Sequence, residues 1–167
     1  MAKEKFNDFR ELFLHELRDV YSAESMLVDA LQKDAKAATN QKLRTAIEEH
    51  HQITMKQKER LEEIARMLNV SLEGTTCEGM KGLLEEEKDM LNAETTDSIR
   101  DAGIISGAQR IEHYEIAAYG TLCAFARQLG YTDVAEMLEQ TLEEEKNADA
   151  LLNEIALNYV NANAVQA

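Results

Sequence analysis

The stretch that decides the fold lies in the second half of the chain, where residues 104–126 read IISGAQRIEHYEIAAYGTLCAFA. Its apolar residues recur at steps of three and four, which is typical of an amphipathic α-helix. The apolar stripe is defined by Ile104, Ala108, Ile111, Leu122 and Ala126. Two glutamates, Glu112 and Glu115, straddle the midline of that stripe, where side chains are expected to be buried. The sequence therefore predicts a long helix that carries two carboxylates into a core.

Three further long amphipathic stretches accompany this helix. The four stretches cover about residues 3–38, 41–69, 96–129 and 132–159. Short links join the first to the second and the third to the fourth, which predicts two antiparallel hairpins. The connection between the hairpins, about residues 70–95, contains a shorter amphipathic piece over residues 80–93. We therefore predict an all-α, ferritin-like four-helix bundle, in which a long crossover carries a short extra helix.

Composition agrees with a single helical domain. The chain has 167 residues, no proline and only 5% aromatic residues, which disfavours a β-sandwich or barrel. We predict one domain over residues 1–160 and a frayed tail over residues 161–167. The net charge of −14 argues against nucleic acid and against an anionic membrane surface as partners. Two cysteines, with no visible signal peptide or membrane-length apolar run, predict a cytoplasmic protein.

Each of the other long helices also carries a polar side chain on its apolar face. These are Glu24 on the first helix, His50 on the second, and Glu145 with Asp149 on the fourth. Burying several carboxylates together is costly unless they are protonated or neutralised. Two divalent cations would supply about four positive charges, which nearly balance the negative charge of about five carboxylates. Oxygen ligands with one imidazole favour iron or manganese. The predicted metal ligands are Glu24, His50, Glu112, Glu115, Glu145 and Asp149.

Each of these residues has a less specific interpretation. Any single carboxylate can lie at the edge of its stripe and reach solvent, and Glu24 is the clearest case of this alternative. The pair Glu48-x-x-His51 has the spacing of a di-iron ligand motif, but Glu48 is turned away from the stripe. Glu144 is expected at the stripe's edge and solvated. Tyr119 is expected either to pack in the core or to hydrogen-bond a metal ligand.

The chain resembles the YciE/YciF family of ferritin-like bacterial stress-response proteins from about residue 9 to residue 159. The resemblance is carried by residues 19–24, by His50 with Thr54, and by residues 101–103, 112–122 and 143–149. It implies a homodimer of four-helix bundles with a rubrerythrin-like dimetal site, and it implies the same six ligands. Close relatives carry an acidic residue where this chain has Ile53. The resemblance therefore implies a site for one or two ions.

Two functions from different classes follow from these features. The first is a non-haem iron or iron–manganese protein that reacts with dioxygen or peroxide as part of a stress response. The second is a non-enzymatic interaction protein, an acidic helical homodimer in which a metal is absent or only structural. The sequence contains no four-cysteine electron-transfer module, which argues against a full rubrerythrin-type peroxidase.

Overall fold

The structure is a computed structural model that describes residues 5–167, and its regular elements are helices. In chain order they are α1 (Phe9–Ala37), α2 (Gln41–Leu68), α3 (Glu78–Asn92), α4 (Asp97–Gln128), α5 (Thr132–Ile155), a π-helical turn (Ala156–Val160) and α6 (Asn161–Val165). The fold is the predicted all-α, ferritin-like bundle, in which α1–α2 and α4–α5 form the hairpins. None of the helices in residues 5–167 is long and apolar enough to cross a bilayer.

The first helix begins later than the hydrophobic pattern predicted. The predicted start near Lys3 lies outside the described residues, and residues 5–8 precede the helix. Asp8 has an extended backbone, and its side chain accepts a hydrogen bond from the backbone amide of Glu11. This side chain caps the amino terminus of α1, so the helix begins at Phe9.

The link of each hairpin contains a helix-capping residue that was predicted from the sequence. The side chain of Asn40 accepts hydrogen bonds from the amides of Lys42 and Leu43, which caps α2. Gly130 has a φ of +76°, a conformation that favours glycine, and its amide donates to the carbonyl of Arg127. The links are only a few residues long, so the helices of each hairpin lie side by side and antiparallel.

The core consists of two apolar clusters, one toward each end of the bundle. One cluster includes Leu27, Leu31, Ile47, Ile104 and Leu152. The other includes Phe13, Leu17, Leu61, Leu122 and Leu138. Full burial of such a side chain contributes roughly 1.5–3 kcal/mol to folding. On each long helix, the polar residues that were predicted to be buried lie between the two clusters. The clusters therefore shield these polar residues from water on both sides.

The crossover helix α3 packs closely on α4 at two glycines. A β-carbon on Gly103 would lie 2.6 Å from Cγ of Met90, and one on Gly107 would lie 2.9 Å from Oε1 of Glu87. Real β-carbons essentially never make such short contacts, so a larger residue at either position would displace the side chain of Met90 or Glu87. The prediction that these two glycines allow close helix approach is confirmed.

The carboxyl-terminal helix changes its winding before it ends. α5 continues into the π-helical turn, whose Ala156 and Val160 are buried, and then into α6, which buries no residue. The fraying of residues 161–167 and the assignment of residues 1–160 to one domain stay predictions.

Candidate metal centre

Four side chains from three helices converge between the two apolar clusters. His50 comes from α2, Glu112 and Glu115 come from successive turns of α4, and Glu145 comes from α5. All four are buried, and one potential ligand atom from each lies within 4.8 Å of the others. Nε2 of His50 is 3.2 Å from Oε1 of Glu112 and 3.7 Å from Oε2 of Glu145. This spacing allows a single cation to contact several of them at once.

Glu24 borders this group from α1. Its side chain is fully buried, so the alternative of a solvent-exposed Glu24 is wrong. One carboxylate oxygen accepts a hydrogen bond from the hydroxyl of Tyr119. The negative charge of Glu24 acts on both Glu112 and Glu115. Tyr119 therefore both packs in the core and orients a predicted ligand.

Asp149 lies apart from the four convergent ligand atoms. Its carboxylate accepts a hydrogen bond of 3.2 Å from the amide of Gln109, and it lies 3.4 Å from Nε2 of His113. Its side chain is 23% exposed, whereas that of His113 is 68% exposed, as predicted for a surface histidine. The assignment of Asp149 as a ligand stays a prediction.

The short motif Glu48-x-x-His51 lies outside the candidate centre. Glu48 is exposed, as its position on the helix predicted. The ring nitrogens of His51 lie 3.3 Å from the side-chain nitrogen of Gln32 and 3.2 Å from that of Gln52.

Burial favours the neutral forms of four of these side chains, which are Glu24, His50, Glu112 and Glu115. The pKa values of Glu24, Glu112 and Glu115 lie well above the usual range, first because burial removes water and then because neighbouring carboxylates repel one another. Burial lowers the pKa of His50, against the attraction of Glu145 and Glu144. A neutral imidazole offers a lone pair to a metal ion.

The unpaired polar atoms of the structure test whether these residues suit a metal. Within residues 5–167, the buried side-chain oxygens and nitrogens without a hydrogen-bond partner are Oε2 of Glu24, both ring nitrogens of His50, Oε2 of Glu112, both oxygens of Glu115, and Oε2 of Glu145. Buried polar atoms normally have partners. All of these atoms belong to predicted ligands, and carboxylates with one imidazole suit Fe²⁺ or Mn²⁺. The residues present therefore fit a cation.

A set of polar residues on α2 and α5 supports the centre, and this role was not predicted from the sequence. Gln57 is 1% exposed and donates its amide to Glu145 and, at 3.2 Å, to Glu144. Arg60 donates to both carboxylate oxygens of Glu144 at 2.9 and 3.0 Å, and also to Thr141. The prediction that Glu144 is solvated is therefore wrong, because Arg60 holds it half-buried. The spacing of Gln57, seven residues after His50, was the available signal.

A second polar network joins the start of α3 to α1 and α4. Sγ of Cys77 lies 2.9 Å from the hydroxyl of Tyr114, and the hydroxyl donates to Asp19 at 3.0 Å. The backbone amide of Cys77 donates to Oγ of Ser22 at 3.0 Å. Burial raises the pKa of the Cys77 thiol. Cys123 is buried without this kind of network, as predicted for a small apolar residue.

Two further buried carboxyl groups lie between α1 and α3. Asp34 is 4% exposed and Glu87 is 5% exposed. Burial raises the pKa of Asp34 to about 7, and burial together with the charge of Asp34 raises that of Glu87 to about 8. The burial of these two residues was not predicted from the sequence, although each continues the apolar stripe of its helix.

Two hairpins, a long crossover and a carboxylate–histidine group halfway along the bundle define a ferritin-like four-helix protein. More particularly, the chain belongs to the family described as domain of unknown function DUF892, whose model matches residues 8–165. It is 43% identical over 155 residues to protein YciF of Escherichia coli K12, which covers 92% of this chain and 93% of that protein. The resemblance to the YciE/YciF family is confirmed.

Solved structures show the same fold. The crystal structure of the E. coli stress protein YciF matches this chain with a TM-score of 0.90 and 41% sequence identity, and the match covers 93% of this chain and 99% of that one. YcfI, a candidate structural protein from Rhodopseudomonas palustris, matches with a TM-score of 0.88 and 37% identity over 92% of this chain and 98% of its own. A protein from Xanthomonas campestris, at 24% identity and a TM-score of 0.75 over 93% and 95%, shares the fold.

Proposed function

We propose that this protein is a stress-response protein that binds one or two iron ions, with manganese as the alternative, and reacts with dioxygen or peroxide. The similarity to YciF, which is described as a stress protein, supports the physiological part of this proposal. The unpaired buried atoms of the candidate centre carry the metal-binding part. The residues that would hold the metal are Glu24, His50, Glu112, Glu115 and Glu145, with Asp149 as the least supported member.

The chemistry follows from the setting of these residues. Bound iron supplies the one-electron chemistry that dioxygen or peroxide requires. The apolar clusters on either side shield the centre from water along the length of the bundle. Tyr119 and Gln57 hold the carboxylates of Glu24 and Glu145 by hydrogen bonds, which fixes their orientation. The guanidinium of Arg60 balances the charge of Glu144 at the edge of the site.

Metal analysis combined with oxygen consumption tests this function. The purified protein is loaded with Fe²⁺ without oxygen, dialysed and analysed for iron, and then mixed with dioxygen or peroxide. Glu115→Ala and Glu145→Ala are expected to abolish both iron uptake and turnover while the helical circular dichroism spectrum persists. Glu143→Ala is the matched control, because Glu143 is exposed and pairs only with Lys146 in the described structure. Full iron uptake by Glu115→Ala would contradict the proposal.

A second candidate function is a non-enzymatic structural or interaction role. The similarity to YcfI, a candidate structural protein, favours it. In this role a metal is absent or serves only to stabilise the bundle. Stoichiometric metal binding without any consumption of dioxygen or peroxide would support this function over the first.

We also propose that the protein is a cytoplasmic homodimer without nucleic-acid or membrane partners. The resemblance to the YciE/YciF family supports the dimer, and the net charge of −14 disfavours the excluded partners. The free cysteines, Cys77 and Cys123, suit a reducing compartment. Light scattering during size-exclusion chromatography tests the dimer, and cell fractionation tests the location.

A further inference from the structure

A cavity of about 220 Å³ lies beside the candidate metal centre and opens to the surface between α2 and α5. Two predicted ligands, His50 and Glu112, form part of its buried wall. The rest of the wall is largely apolar and includes Leu31, Ile47, Ile53 and Leu152. The cavity therefore leads from solvent to the side chains of the candidate centre along an apolar surface.

Small residues create this space. Ala46, Ala108 and Ala148 line the cavity, one from each of α2, α4 and α5. A dry cavity of about 150 Å³ lined by aliphatic and aromatic side chains is large enough to bind benzene. A volume of about 220 Å³ therefore accommodates a molecule of roughly six to eight carbon atoms.

The charge around the cavity selects among such molecules. Glu49 and Glu144 lie at its lining, and the chain as a whole carries a charge of −14, so an anion is repelled. Apart from His50 and Glu112, the buried wall is largely apolar and does not compensate a charged molecule for the water that it would lose on entry. Ile53 is part of that wall. An uncharged, largely apolar molecule suits both the apolar wall and the acidic residues Glu49 and Glu144.

We propose that this cavity binds a small, uncharged, largely apolar organic molecule of about six to eight carbons beside His50 and Glu112, as the substrate of the candidate centre. The role as substrate rests on the proposed function, whereas the binding itself does not. The cavity is formed by this chain's own residues, so binding is testable on the full-length protein without metal.

The experiment titrates 1-hexanol and hexanoate into metal-free protein and follows the methyl signals of Ile53 and Leu152 by NMR. We expect 1-hexanol to shift these signals saturably, and hexanoate to bind at least tenfold more weakly. Ala148→Phe is expected to weaken the binding of 1-hexanol at least tenfold by filling the cavity. Ala150→Phe is the matched control, because Ala150 is exposed on the same helix.

A second pair of variants covers the case in which Ala148→Phe fails to fold. Ala46→Phe fills the cavity from α2, and Thr45→Phe, at an exposed neighbour, is its control. Equal binding of 1-hexanol by wild type and by a folded filling variant would overturn the proposal, as would equal affinity for hexanoate. Iron analysis of the same preparations separates the two proposals. Iron uptake without binding of 1-hexanol overturns only the cavity assignment. Binding without iron uptake overturns the proposed metal function and the role as substrate, but not the binding itself.

Discussion

The thiol of Cys77 and the hydroxyl of Tyr114 lie 2.9 Å apart, which ties the start of the crossover helix to the helix that carries Glu115. The same hydroxyl donates to Asp19 on α1 at 3.0 Å. The fit is close, since a β-carbon on Gly79 would lie 2.8 Å from Cε2 of the Tyr114 ring. Three elements are thus joined through one phenol next to the candidate centre.

Removing that phenol should destabilise the protein. Tyr114→Phe deletes the donor to Asp19 and removes one of the hydrogen-bond partners of the Cys77 thiol, so we expect the free energy of unfolding to fall by about 1–3 kcal/mol. Urea denaturation followed by circular dichroism measures the change. Tyr131→Phe is the control, since the hydroxyl of Tyr131 bonds to Arg10 at the exposed surface. Equal losses for the two variants would refute a special role for Tyr114.

Asp101 should be a strong stabilising residue of the first hairpin. Its carboxylate accepts three hydrogen bonds, from the amide and hydroxyl of Thr39 at 2.7 and 2.6 Å and from the amide of Asn40 at 2.8 Å. Asp101→Ala leaves these donors without their acceptor and should cost about 2–4 kcal/mol in thermal or urea unfolding. Asp97→Ala, which breaks only an exposed pair with Arg100, should cost less than about 1 kcal/mol.

The buried pair of Asp34 and Glu87 should make stability fall as pH rises. Their pKa values in the folded protein, about 7 and about 8, exceed the values near 4 of unfolded chains. Between about pH 4 and pH 8 the folded state therefore binds more protons than the unfolded state. The favourable contribution of the neutral pair is complete below about pH 4 and is lost as the pH passes through 7 to 8.

Glu87→Gln tests this dependence, because glutamine keeps the shape of the neutral acid. We expect the variant to be about 2–3 kcal/mol more stable than wild type at pH 8.5 and nearly equal to it at pH 5. Urea titrations at the two pH values provide the measurement. Glu86→Gln is the control, because Glu86 is exposed and pairs with Arg110 at 3.5 Å. An unchanged pH slope in Glu87→Gln would show that the pair is not protonated as described.

Ile53 should limit the number of ions that the candidate centre holds. It lies three residues after His50, on the same side of α2, and lines the cavity beside it. Ile53→Asp adds a carboxylate there, so we expect the iron retained after dialysis to rise by as much as one ion per chain. Gln52→Asp adds the same charge at an exposed position and should leave the iron content unchanged. Identical iron contents in both variants would argue against this role of Ile53.

The helices were predictable because their apolar periodicity is long and uninterrupted. The predicted second helix, residues 41–69, differs from α2 by only one residue, since Asn40 caps one end and Asn69, at a φ of 53°, closes the other. The predicted start of α1 near Lys3 lies outside the described residues, and residues 5–8 are not helical because the cap at Asp8 outweighs the weak apolar pattern before it. Local capping, rather than periodicity, decides where a helix begins.

The candidate site was predictable in part. Glu115 and Glu145 are charged residues on the apolar faces of their helices. A charge at a position that periodicity predicts to be buried can be recognised from the sequence alone. Gln57 is neutral, so it produces no such conflict, although it is buried against Glu145. The partnership of Asp34 with Glu87 depends on how the crossover lies across the bundle, and helical periodicity contains no information on that.

The order of the helices along the chain determines when the candidate centre can first exist. Gln57 and its partner Glu145 are 88 positions apart, on either side of the crossover. During synthesis on the ribosome, the hairpin of α1 and α2 emerges with Glu24 and His50 but without the glutamates of α4 and α5. The complete candidate centre can therefore form only after α5 has been synthesised, and a chain that terminates before α5 cannot assemble it.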